Sequence, residues 1–324
     1  MIIITGGAGF IGSVLVHQLN LAGIKDIIIV DHLTTDEKWK NLVGLEFEEY
    51  FDRDDFYNLL IENRIPFIID TIFHLGACSS TTEKNSQFLM YNNYKYSISL
   101  VKYALPLNAR FIYASSAATY GGGENGYLDD ENKIDNLRPL NMYGYSKHLF
   151  DLWLKKEKLL SKVAGLKFFN VYGPNEYHKG DMRSVVHKAF EQIKETGKVK
   201  LFKSYNDSYA DGEQMRDFIY VKDAVNMAQF FMDNTSVNGI YNIGTGKART
   251  WKDLVSSVFK AMELEPNIEF IDMPDYLKPK YQYFTEAKIE KIRSAGYDRK
   301  LYSLEEGVSD YVQNYLLKEK TISW

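Results

Sequence analysis

An apolar run, MIIIT, leads without a break into TGGAGFIG at Thr5 to Gly12 and then into a helical pattern. Gly7, Gly9 and Gly12 satisfy G-x-G-x-x-G, while Gly6, Gly9 and Gly12 satisfy the G-x-x-G-x-x-G spacing. The missing side chains permit a tight turn, close backbone approach to a pyrophosphate, and close packing of helix on strand. A turn of this kind commits the chain to a βαβ unit. Asp31 ends the next strand, 19 residues past Gly12, where an acid that bonds a ribose hydroxyl belongs. The pairing predicts a bound dinucleotide. Asp31 alone favours NAD, because a carboxylate bonds the 2′-hydroxyl and repels a 2′-phosphate. His32, Lys38 and Arg53 supply nearby positive charge that suits such a phosphate. The two signals pull toward different cofactors.

Short β-rich runs alternate with helical stretches through the first half, at Ile2–Thr5, Ile27–Asp31, Ile68–His74, Arg110–Ser115 and Leu166–Asn170. Unbroken apolar strands between helices imply a parallel sheet covered on both faces. The predicted fold is therefore α/β, a Rossmann-type doubly wound sheet. Past about Asn175 the rhythm loosens. Strand-like Val199–Phe202 and Ile268–Ile271 interleave with the helical stretches Thr250–Met262 and Leu304–Leu316. A dinucleotide-binding domain over 1–174 and a smaller mixed α/β, mainly substrate-binding domain over 175–324 are expected. Arg216–Val225 and Gly239–Gly246 read as returns to the larger one. The polar stretch Ser204–Met215 reads as a mobile loop.

Composition excludes several classes. A net charge of −4 and a pI near 5.9 leave no electrostatic footprint for nucleic acid. Lys155, Lys156 and Lys158, interrupted by Glu157, read as a solvated helix face. The single cysteine, Cys78, permits no intrachain disulfide and points to a reducing compartment. Neither a membrane-length apolar run nor a signal peptide is visible, so a cytoplasmic protein is expected. The histidines form no ligand-spaced cluster and no metal is expected, with His17 and His148 read as helix-surface residues.

YGYSK places Tyr143 and Lys147 at i,i+4, stacked on one helix face. Upstream, YASSAATYG puts Ser115 and Ser116 at the C-terminal end of a strand, the edge where open α/β sheets bind ligands. A tyrosine hydroxyl with an ordinary pKa near 10 is a poor base at neutral pH. An adjacent ammonium and a positive nicotinamide ring both favour its phenolate. Ser116 is placed to hydrogen-bond the reacting oxygen.

With these motifs the sequence resembles the extended short-chain dehydrogenase/reductases that act on nucleotide sugars. More narrowly, FHLGACSSTTE (73–83), NNYKYS (92–97), FNVYGPNEYHKGDM (169–182) and KYQYFT (280–285) resemble the ADP-glycero-manno-heptose 6-epimerase family. The resemblance implies an isomerase acting on a small ADP-sugar, with bound NADP (NAD being possible). It implies a role in lipopolysaccharide inner-core synthesis and a homo-oligomer, a pentamer. It also implies that Phe10, Ile11, Asp31, His32, Lys38, Arg53, Leu75, Gly76, Ala77, Cys78, Ser79, Asn92, Lys147 and Val171 line the cofactor beside the glycine turn. Asn170, Asp181, Lys188, Phe202, Arg216 and Tyr281 would hold substrate. Tyr143 and Lys179 would be the paired acid/bases, with Ser116 assisting; His178, beside Lys179 in the sequence, either tunes that lysine or faces solvent, and solvent is the favoured reading. Leu75 stands where a glutamate is common, Asp181 where a serine is, and Lys188 where a histidine is.

Neighbouring activities need other residues. A 4,6-dehydratase requires an acidic pair after its strand-end residue, whereas Ser116 is followed by Ala117 and Ala118. A redox-sensing module that binds a dinucleotide without turnover would be expected to lose the tyrosine or the lysine. A UDP-galactose-type 4-epimerase remains the alternative, although it has no need of the Lys179 loop.

Overall fold

Isoleucines at positions 2, 3 and 4 point alternately to opposite faces of their strand, and both faces are covered. In a computed structural model, residues 1–275, 277–278 and 281–323 are described. Lys280, the first residue of the KYQYFT stretch, lies outside the described residues. The strands in chain order are β1 (Ile2–Thr5), β2 (Ile27–Asp31), β3 (Glu49–Asp52), β4 (Thr71–His74), β5 (Arg110–Ser116) and β6 (Val163–Phe168). They continue with β7 (Asn170–Tyr172), β8 (Val199–Phe202), β9 (Met215–Tyr220), β10 (Gly239–Ile243), β11 (Ala248–Thr250) and β12 (Ile268–Ile271).

Seven strands form one sheet in the order β10-β6-β5-β4-β1-β2-β3, and every pairing in it is parallel. Ile4, Ile29, Phe73 and Ile112 pack on one face against Val14, Leu15, Ala224 and Ala228. Ile3, Ile28, Ile72 and Phe111 pack on the other against Phe56, Leu100, Phe150 and Leu154. Each such fully buried large side chain stabilises the fold by roughly 1.5–3 kcal/mol. The strand order reverses at β1, between β2 and β4. That switch point opens a crevice beyond the carboxyl ends of β1 and β4.

The remaining strands build a second layer. β9 lies between β7 (parallel) and β11 (antiparallel), and β8 pairs in parallel with β12. Helices Val185–Thr196, Trp251–Ala261 and Leu304–Tyr311 pack together there. Their Val186, Phe190, Leu254, Val258 and Tyr311 join the same continuous core as Val14 and Leu15.

Several expectations need correction. The strand expected from Ile68 starts only at Thr71; Ile68 is 85% exposed, and Asp70 instead bonds the N-terminal ammonium at 2.6 Å. Leu166–Asn170 is not one strand. Phe169 donates its N–H to the Ile243 carbonyl at 3.0 Å, and the chain then leaves β6 to begin β7 in the small sheet. β10 joins the large sheet as expected, but β9 does not; only the following helix, Val221–Asp233, packs back on it. β3, with the half-exposed sequence EYFD, was not foreseen, because a charged edge strand lacks the apolar run. His148 is buried, not on the helix surface, because the segment carrying Asp135 and Arg138 folds over its helix. Ser204–Met215 turns back on itself, the Ser204 N–H bonding Asp211 Oδ1 at 2.7 Å.

Among the described residues no helix is long and apolar enough to cross a membrane, and no group of three acidic, histidine or cysteine side chains could hold a metal.

Candidate active site

The glycine turn after β1 faces the turn after β4 at backbone contact distance. A Cβ on Gly12 would stand 2.0 Å from the Gly6 carbonyl oxygen, and one on Gly6, at φ +72°, would stand 2.7 Å from the Gly76 nitrogen. Only glycine fits at either position. Gly7 is different: a Cβ there would meet the Ile29 side chain, so its role is helix–strand packing. Two adjoining cavities of about 400 and 270 Å³ run along this turn and share Gly6, Asp31, Lys38, Gly76, Ala77 and Cys78. The larger adds Gly9, Phe10, Ile11, Gly12, Leu75 and Ser79; the smaller adds His32, Arg53 and Asn92. An extended cleft with a glycine cradle at its centre fits a dinucleotide.

Asp31 is fully engaged within the protein. Its carboxylate accepts from the Ala8 N–H at 2.9 Å, its neighbour's N–H (His32) at 2.7 Å and the Lys38 ammonium at 2.8 Å. Lys38 also reaches the His32 carbonyl at 2.7 Å. Arg53 clasps Asp54 at 2.9 Å and donates to Asn92 Oδ1 at 3.0 Å.

Tyr143, Lys147 and Lys179 line the larger cavity together. The Met142–Lys156 helix that carries the first two is capped by the Asn141 side chain, which accepts from Gly144 N–H at 2.8 Å. Gly144 lets the helix press against the strand-end turn, since a Cβ there would lie 2.7 Å from the Ala118 carbonyl oxygen. Lys147 donates to the Ala114 carbonyl at 2.9 Å. Ser116 is buried at the end of β5, where its hydroxyl accepts from the Ala118 N–H at 3.1 Å and, from nearby, favours the ionised form of Tyr143. Ser115 is on the wall of the larger cavity and donates its hydroxyl to Asp151 at 2.8 Å, whereas Ser116 is off that wall.

Electrostatics depart from expectation at Tyr143. Burial pushes its hydroxyl up, and the nearby Ser116 hydroxyl offsets this only in part. Burial also brings Lys147 down to about 8, against the pull of Asp151. Within the chain, then, burial outweighs what the neighbouring groups do to favour the phenolate. Burial likewise lowers Lys179, against Glu176. A buried phenol and a buried amine thus both favour their neutral forms.

Lys179 comes from the segment after Gly173-Pro174, and its ammonium sits 5.3 Å above the centre of the Phe10 ring. Three anchors hold that segment. Asn175, buried at φ +75°, donates to Ser13 Oγ at 2.9 Å and accepts from Ile322 N–H at 2.9 Å. Buried Glu176 accepts from Ser184 through its hydroxyl at 2.6 Å and its N–H at 2.5 Å. Tyr177 donates to the Lys320 carbonyl at 2.6 Å. His178 does not face open solvent. It lines the cofactor cleft, and burial, then Lys38, brings it down to about 4.

The expected substrate residues are not gathered into this cleft. Arg216 lies at 5.6 Å from the Trp251 ring and 5.4 Å from the Tyr281 ring, and it donates to the Met215 carbonyl at 2.8 Å. Tyr281 lines a separate hollow with Tyr127, Asn206, Tyr209 and Tyr283. Asn170, Asp181, Lys188 and Phe202 lie off the walls of both cavities, Lys188 being turned back to the Asp181 carbonyl at 2.5 Å, and Val171, expected to line the cofactor, lies off them too. Sequence reasoning missed Asn93, whose buried amide ties Cys78 N–H (2.9 Å) to Ser146 Oγ (3.0 Å). It also missed Asp151, although i,i+4 spacing from Lys147 pointed to it.

A family model described as the NAD dependent epimerase/dehydratase family matches residues 2–244. An ADP-L-glycero-D-manno-heptose-6-epimerase of Nitratidesulfovibrio vulgaris is 56% identical over 316 residues, 98% of each chain. One of Fusobacterium nucleatum is 51% identical over 328 residues, 98% of this chain and 99% of its own. A crystal structure of the Helicobacter pylori ADP-L-glycero-D-manno-heptose-6-epimerase superposes with a TM-score of 0.80 at 30% identity, covering 97% of this chain and 95% of that one.

Proposed function

Because the chain belongs to the NAD dependent epimerase/dehydratase family, we propose that it inverts C6 of the heptose in ADP-D-glycero-D-manno-heptose. The product is ADP-L-glycero-D-manno-heptose, reached through a transient 6-keto sugar and destined for the lipopolysaccharide inner core. The observation that carries this reading is Lys179, drawn into one cleft with Tyr143 and Lys147. A 4-epimerase of the UDP-galactose type has no use for it. Residues 1–174 hold the cofactor and 175–324 mainly the sugar nucleotide, in a cytoplasmic homo-oligomer, by family resemblance a pentamer.

A bound nicotinamide ring supplies the hydride acceptor and donor at C6. The protein's part is to move the proton on O6. Turning the terminal arm of the sugar presents both faces of C6 but carries its oxygen to two places, and proton transfer needs heavy atoms about 2.6–3.2 Å apart. Tyr143 serves one place and Lys179 the other, while Ser116 orients the oxygen and Lys147 holds Tyr143. Hydrogen leaves C6 and the proton leaves O6; both return, with C6 inverted. Arg216 and Tyr281 hold the sugar nucleotide, with Asn170, Asp181, Lys188 and Phe202 around it.

Substrate deuterated at C6 should therefore yield product that keeps its deuterium, as mass spectrometry would show. Wash-out to solvent would instead establish proton abstraction from carbon and sink the keto route.

NADP is the preferred cofactor in this reading. Asp31 is already neutralised by Lys38 and bonded to Ala8 N–H, so its charge no longer opposes a 2′-phosphate. Lys38 and Arg53 stand on the wall of the smaller cavity, able to bracket that phosphate. A charge-assisted hydrogen bond contributes about 1.5–3 kcal/mol. The Lys38→Ala, Arg53→Ala double variant should thus lose its NADP over NAD preference by at least about tenfold in titration calorimetry. An unchanged preference would leave Arg53 with adenine stacking alone.

A further inference from the structure

The segment that carries Lys179 is tied to the cofactor turn through one buried side chain on a third element. Residues Glu37–Leu42 form a short 3₁₀ turn, capped by Asp36, whose carboxylate accepts from Lys38 N–H at 3.0 Å. Lys38 leaves this turn toward Asp31. Asn41 on the same turn is 2% exposed. Its amide nitrogen donates at 3.0 Å to the Ala8 carbonyl, inside the glycine turn, and at 3.0 Å to the Asn175 carbonyl, at the root of the Lys179 segment. An amide has two N–H groups, and two carbonyls take both; this also fixes which end of the side chain is nitrogen. His178 Nδ1 lies 3.3 Å from the same nitrogen. Phe10, over whose ring Lys179 sits, is two residues past Ala8. The strut thus joins the two ends of a closed path: glycine turn, Asn41, Asn175, Lys179, and back to Phe10.

From this geometry we infer that Asn41 is a positioning residue for Lys179, setting its height above the cofactor turn. The inference rests on the proposed proton-transfer role of Lys179. Asn41 is off the walls of both cavities along the glycine turn. Its effect comes through the Asn175 carbonyl, which fixes where the chain turns before residues 176–179. Because Lys38 belongs to the same short turn, whatever engages Lys38 at the ribose end also bears on the strut.

The test uses the intact protein with bound cofactor. Asn41→Leu keeps the approximate shape and removes both donors, and Asn41→Ala is the gentler change should the leucine variant fold poorly. Turnover should fall roughly 10- to 100-fold, as expected for a misplaced catalytic group, with KM for the ADP-sugar little changed. Amide hydrogen exchange should rise within residues 174–182 and not in β1, β4 or β5. In the Lys179→Met background, Asn41→Ala should cost almost nothing further, since the group it positions is gone. An equal loss in both backgrounds would overturn the inference, as would turnover within about twofold of wild type. So would exchange rising evenly through the large sheet, which marks a residue that merely stabilises the fold. Should Lys179→Met itself prove fully active, the role of Lys179 falls, while local exchange still reports whether Asn41 holds the segment.

Discussion

Replacing Lys179 with methionine should slow epimerisation by about 10²- to 10⁴-fold, the usual worth of a general acid/base. Methionine keeps much of the unbranched stem and removes the ammonium that lies over Phe10. The hydrogen bonds that anchor Asn175 and Glu176 do not involve the lysine side chain. Fold and cofactor content should therefore stay as they are. The more telling result is asymmetric. With Tyr143 intact, one C6 epimer should still reduce the bound cofactor in a single turnover, while the other does so far more slowly. Equal slowing of both would mean that Lys179 only binds substrate. Wild-type rates with both would return it to an ordinary loop cation.

The largest loss of stability is expected at Asp151, one turn beyond Lys147. Its carboxylate, fully buried, accepts from the Tyr113 hydroxyl, the Ser115 hydroxyl and the Lys167 ammonium, each at 2.8 Å. Lys167 is equally buried, and its ammonium also bonds Thr119 Oγ1 at 2.6 Å, a neutral partner. Asp151→Asn leaves that ammonium without its counter-charge, a change that costs about 3–5 kcal/mol when one partner of a buried pair is removed. Urea denaturation would measure it. The double change Asp151→Leu with Lys167→Met should recover much of the loss, because no charge is then stranded. Catalysis should shift as well. Burial lowers Lys147 to about 8 and Asp151 opposes that fall. Below its pKa Lys147 is charged; above it the charge is lost. Removing Asp151 lowers the pKa further, so activity should fail from the alkaline side first, with the upper limb of the pH profile moving toward neutrality. A limb that stays in place would show that Asp151 supports the fold alone.

What could be read beforehand depended on how local the signal was. β1, the glycine turn and β2 are each fixed by neighbours a few residues away, and their bounds match expectation. Tyr143 and Lys147 share a helix face by spacing alone. Phe169 gave no such warning, since nothing in LKFFN distinguishes a strand that continues from one that changes sheets; the Ile243 carbonyl decides it. His148 looked like a surface residue because the segment covering it precedes its helix and has no apolar periodicity. His178 likewise depended on an element far away, the turn at Glu37–Leu42. The Asn41–Asn175 contact spans 134 residues, and an asparagine in a polar turn carries no sign that it will be buried. Only the YGPN stretch hinted at it, as a left-handed residue after Gly-Pro is often asparagine.

The contact between Asn175 and Ile322 joins positions 147 residues apart, and Ser323 Oγ donates to the Val43 carbonyl across 280. During synthesis at roughly 5–20 residues per second, the large sheet's first six strands and the Lys179 segment are all made about 7–30 s before Ile322 appears. Two of the three anchors of the Lys179 segment, to Lys320 and to Ile322, thus wait on the last residues made. That corner is closed from the far end of the chain, so a protein ending before Lys320 should exchange its amides faster across residues 175–182 than the full-length one.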